Sequence, residues 1–144
     1  MATTETELHA GLRAWADGDR TRVAAVELLI RNGRAIYLRA PWLTVHDGGN
    51  VSVDAAALRD GTGAYSSGEL AVIDIAVSLL GGEPVDLSEA LPRLEHAAAE
   101  LVIATVSTAA GFDRPTTSVQ MVDGGPRRVN LPVLATWPAE VAPA

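Results

Sequence analysis

The 144-residue chain has no cysteine and no lysine. Without cysteine there can be no disulfide, no thiol nucleophile and no thiolate metal ligand. Without lysine there is no Schiff-base chemistry and no P-loop lysine. All 11 basic residues are arginine, which, with abundant alanine and glycine, points to a GC-rich genome. Aromatic residues make up only 4%, so the core has to be built from Ala, Val, Leu and Ile. No apolar run is long enough to span a bilayer, and the longest is broken by Asp74. The opening MATTETELHA lacks the basic and apolar regions of a signal peptide, so the expected location is the cytoplasm.

What is present describes a globular chain. Hydrophobic residues reach 48% against 20% charged, and the length suits one domain with a real core. The formal net charge of -7 argues against general nucleic-acid binding and fits a soluble protein or one that meets a basic partner.

The stretch AYSSGELAVIDIAVSLLGG, residues 64–82, organises the rest. Ser66 followed by Glu69 has capping-box spacing, in which each side chain satisfies a free N–H of the first turn. Nine apolar residues follow, interrupted only by Asp74 and Ser78, and Gly81-Gly82 is a stop signal. A helix apolar nearly all round belongs in a core or an interface. Before it, residues 4–16 read as an amphipathic helix capped by Thr4, with Leu8, Leu12 and Trp15 on one face. A second helix runs from Asp19 or Thr21 to about Asn32. Ile36–Leu38 reads as a short extended segment. Alternating apolar residues on either side of Asp47-Gly48-Gly49 predict a β-hairpin, and Asp54 caps a short helix ending at Gly61. After the central helix, Asp86 or Ser88 opens a helical region. Pro92 lies near its start, and a stripe of Arg93, His96, Glu100 and Ser107 is its only polar face up to Ala110.

The expected fold is mainly α with one or two small β-hairpins, in a single compact domain. Residues 1–112 form a helical core with a hairpin near 42–54. Residues 113–144 form an extended tail or second hairpin packed on it, with WPAEVAPA as a loose terminus.

Three segments, GLRAWADGDRTRVAAVELLIRNGRA, APWL and YSSGELAVIDIAVSLLGGEPVDLSEALPRLEHAAAELVIATVSTAAG, carry a shared pattern of ELLIR, PW, SGE and VDL. In this the chain resembles a group of small actinobacterial and actinophage proteins over about residues 11–112. The resemblance implies a recurring single domain, such as an accessory protein of a phage or mobile element, and transfers no site.

Candidate chemistry is sparse. SSGE resembles the signature motif of ABC-type ATPases, but no G-x-x-x-x-G-K-[ST] and no Walker-B strand accompany it, and helix capping explains Ser66 and Glu69. His9, His46 and His96 have no metal-ligand spacing. A dyad at His46-Asp47 would need a nucleophile brought in by the fold, such as Ser66 or Ser67. No catalytic residue, metal or cofactor is expected. Arg20, Arg22, Arg31, Arg34 and Arg39 outnumber the single acid between them, Glu27, so this stretch could lie on phosphates as part of a small nucleic-acid-binding regulator. Trp42 is either core or an interface anchor. The candidate binding residues are thus Arg31, Arg34, Trp42, Ser66 and Glu69. The favoured reading is a non-enzymatic interaction module, a homodimer in which the 93–110 helix or the central helix supplies the interface.

Overall fold

A computed structural model describes residues 4–139. Its elements are α1 (Glu5–Ala16), α2 (Arg20–Asn32), β1 (Leu43–Val45), β2 (Val51–Val53), α3 (Ala55–Gly61), α4 (Ser67–Leu79), α5 (Leu87–Ala90), a 3-10 turn (Leu91–Arg93), α6 (His96–Ala110), β3 (Thr116–Val122) and β4 (Gly125–Leu131). Among the described residues this is an α+β fold of six helices and two separate two-stranded antiparallel sheets.

Local chemistry sets the helix starts. Thr4 forms a complete capping box with Glu7, and Asp19, Asp54, Ser66 and Asp86 each accept a first-turn N–H. The stop after α4 is a Schellman motif. Gly81 takes φ 82, its N–H reaches the Ser78 carbonyl, and the Gly82 N–H reaches Val77.

The core lies where α4 and α6 both pack along α2. Leu28, Leu29, Leu58, Val72 and Ile73 are sealed within it, with Leu12 from α1. The first hairpin sits on α1 at Gly11, where any Cβ would collide with the Gly49 carbonyl oxygen and the Val51 side chain. Only glycine lets the two backbones come that close.

Several expectations need correction. Ile36–Leu38 forms no strand: successive turns, closed by Ala40 N–H to Tyr37 carbonyl and Leu43 N–H to Ala40 carbonyl, bring the chain to Trp42. The last helical region is three pieces. Leu94 and Glu95 are extended, Pro92 belongs to the 3-10 turn, and α6 begins at His96. The polar stripe also fails at its end, because the chain beyond α6 covers Ser107: it is only 4% exposed, and its hydroxyl donates to the Phe112 carbonyl and accepts the Ala135 N–H. The large apolar side chains of α6 turned outward are Ile103 and Val106.

The second hairpin forms, but beyond marginal contact it packs on no helix and on neither strand of the first hairpin. The chain after it does return to the core. Leu134 donates to the Phe112 carbonyl, Trp137 packs against the core, and Arg31 donates to the Pro138 carbonyl. Trp137 and Pro138 are therefore docked rather than loose, Ala139 is exposed, and the rest of WPAEVAPA lies outside the described residues.

Candidate interaction surface

The five candidate binding residues divide between one cluster and two separate positions. Arg34, Ser66 and Glu69 meet where the end of α2 approaches the start of α4. Ser66 Oγ accepts the Glu69 N–H at 3.3 Å, but the Glu69 carboxylate does not complete the capping box; it pairs with the Arg34 guanidinium at 3.1 Å. The Tyr65 hydroxyl donates to the Arg34 carbonyl at 3.1 Å. Burial pushes that hydroxyl's pKa up, and Tyr37 and Glu69 act in the same direction. A carboxylate thus occupies the approach to this helix start, where a phosphate would otherwise be favoured.

Arg31 belongs to a different place. It donates to Glu27 at 3.0 Å and its guanidinium lies over the Trp137 ring, 5.1 Å from the centroid. Glu27 also accepts from Arg13 of α1 at 2.6 Å. Burial pushes the Glu27 carboxyl up, but hydrogen bonds from Arg13 and Arg31 and their charges outweigh it and hold the pKa below its ordinary value.

Trp42 is core. It is 3% exposed, its Nε1 donates to the Ala35 carbonyl at 2.8 Å, and Tyr37 meets its ring edge-on at 5.7 Å. It does not serve as a surface anchor.

The remaining arginines of the cluster are used singly. Arg20 donates to the Ala110 carbonyl at 3.3 Å, tying α2 to the end of α6, and Arg22 covers the Trp15 ring at 4.4 Å. Arg39 is exposed in a left-handed turn at φ 67.

Asp74, the lone acid in the apolar body of α4, has the same kind of explanation. Arg93 Nη2 lies 3.5 Å from one carboxylate oxygen. Arg59 Nε lies 2.9 Å from the other, close enough for an ion pair although its N–H does not point at the oxygen. A cavity of about 190 Å³ opens beside them, rimmed by Glu83, Asp86 and Glu89.

One contact had no signal in the sequence pattern. His46 Nε2 and Ser52 Oγ are 2.8 Å apart across the first hairpin, so the serine beside this histidine is Ser52 and not Ser66 or Ser67. Among the described residues no carboxylate hydrogen-bonds the other ring nitrogen to orient the imidazole, as nucleophile activation requires. No group of three His, Asp or Glu among the described residues is placed to hold a metal ion.

What remains is apolar surface. On α6, Ile103 and Val106 are each 61% exposed, one turn beyond Glu100, which pairs with His96 at 3.1 Å. On the second hairpin, Val119 and Met121 are exposed at 69% and 72%. The central helix offers nothing comparable, because Ala71, Val72, Ile73, Ile75, Ala76 and Val77 are all buried inside the chain. Compared with family models, curated proteins and solved structures, the chain matches none of them.

Proposed function

We propose that the protein is an interaction module that binds a second copy of itself and catalyses no reaction. The observation that carries this reading is the outer face of α6, where Ile103 and Val106 are turned away from the core. Covering a side chain of this size is worth roughly 1.5–3 kcal/mol, so a face that leaves two open gains from a partner. A two-fold pair is the commonest way for a surface to be covered by its own copy.

The reading as a nucleic-acid-binding regulator has less support. It needs guanidiniums available to phosphates, whereas Arg20, Arg22, Arg31 and Arg34 are held by two carbonyls, two indoles and two carboxylates of the same chain.

The test is light scattering at micromolar and higher concentrations. The expected mass is twice the 15.0 kDa of one chain. The double substitution Ile103→Arg with Val106→Arg is expected to return it to one chain with the helical circular dichroism unchanged. Ala104→Arg is unsuitable, because Ala104 faces inward and the change would disrupt the fold. A wild-type mass of one chain throughout overturns the reading.

A further inference from the structure

The two strands of the second hairpin differ in how they treat their outer edges. Val122 and Gly125 are joined by a two-residue turn in which Asp123 takes φ 51 and Gly124 takes φ 79, the left-handed pair of a type I′ turn. Such a turn closes on a hydrogen-bonded pair. Alternation along the ladder then leaves the N–H and C=O of Thr117, Val119 and Met121 pointing out from β3. On β4 the outward backbone groups are those of Pro126, Arg128 and Asn130. The β4 edge is guarded: Pro126 has no N–H to offer, and Arg127 and Arg128 add charge. The β3 edge, TTSVQMV, has no proline, no glycine and no charge. An unguarded edge of this composition is a template for another strand. A two-stranded ribbon with so little packing against the helices is also marginal in water until more strands join it.

We infer that β3 pairs antiparallel with β3 of a second copy, about a two-fold axis at Val119, to form a continuous four-stranded sheet. In that register Val119 faces Val119 of the other copy and Thr117 faces Met121, so every outward N–H and C=O of these residues finds a partner. The same register places the exposed Val119 and Met121 side chains of both copies on one face, where they cover each other.

The self-complementary register favours a copy of this chain as the occupant, and charge does not oppose it. In the sequence from 113 to 144, Arg114, Arg127 and Arg128 balance Asp113, Asp123 and Glu140, so this part is neutral and the net charge of -7 belongs to the rest. Two copies therefore meet through the neutral part of an acidic protein. Pairing through β3 keeps the β4 arginines of the two copies about three strand spacings apart, roughly 14 Å, beyond a Debye length at physiological salt. Pairing through β4 would bring the same arginines side by side.

This inference rests on the self-association reading and adds a second contact to the same pair, sharing one two-fold axis with the α6 contact, so that neither contact alone is expected to hold the dimer. Because the chain has no cysteine, one introduced thiol reports the contact. A hydrogen-bonded antiparallel pair has Cα atoms about 5.5 Å apart, within reach of a disulfide. Val119→Cys under mild oxidation is expected to give a covalent dimer as the main species, and Asn130→Cys on β4 is not. Adding Thr117→Lys and Met121→Lys to the Val119→Cys chain sets like charges opposite each other and is expected to slow cross-linking several-fold. Cross-linking at position 119 no faster than at 130, or unaffected by the lysines, overturns the edge pairing. If the wild-type mass is then still that of a dimer, self-association stands and only this edge falls. A one-chain mass removes both.

Discussion

The Arg31 guanidinium lies over the Trp137 ring, joining residues more than a hundred positions apart. The same side chain reaches the Pro138 carbonyl at 3.2 Å and Glu27 at 3.0 Å. It is the clamp that holds the returning chain on α2. Arg31→Ala is expected to cost about 1–3 kcal/mol, from the lost cation–π contact and charged hydrogen bonds. Thermolysin digestion should cut the variant between the second hairpin and Trp137 faster than wild type, while the helical core resists. Equal cutting rates would show that the clamp contributes nothing.

Glu27 links this clamp to α1 through Arg13. Its folded-state pKa lies below the ordinary 4.5. The stability it adds is therefore complete above that value and lost as pH falls through the lower folded value. Urea unfolding should show an acid-side loss of stability that is smaller in Glu27→Gln than in wild type. Parallel profiles for the two proteins would contradict this.

Ile73 has no exposed surface. Ile73→Ala is expected to cost about 2–5 kcal/mol in urea unfolding, the range for large-to-small changes in a packed core. A loss below about 1 kcal/mol would mean that the site collapses freely or that α4 is not central.

Ser66→Ala is expected to cost on the order of 1 kcal/mol, and Ser66→Asp to be tolerated, as for an N-cap. Arg34→Ala should matter less, because its pair with Glu69 is at the surface. A thermal-shift series with nucleotides tests the alternative use of this helix start. A rise in melting temperature that Ser66→Asp abolishes would make it an anion site.

The helix starts were legible because capping is local chemistry. Thr4, Asp19, Asp54 and Ser66 act within three residues of themselves, and a reader of the sequence can see both partners at once. The start of α6 was not legible because Glu95 caps it without any side-chain hydrogen bond. The burial of Ser107 was not legible because what covers it, at Phe112 and Ala135, lies outside the helix. The arginines misled for a related reason. Their partners, such as Ala110 for Arg20 and Trp137 for Arg31, are brought near only by the packing of distant segments. Trp42 was ambiguous until the turns before it placed the Ala35 carbonyl under its indole N–H. Of the candidate site, the sequence carried the positions of the charges but not what they would neutralise.

The proline and arginines of β4 also decide how far an assembly could grow. A ribbon adhesive along both margins would add units at each side without end and become a thread. With one margin sealed, a contact through the other is self-terminating, so stoichiometry is written into the hairpin as an asymmetry. Replacing Pro126, Arg127 and Arg128 with β-formers would remove that stop, converting a pair into a seed for fibres.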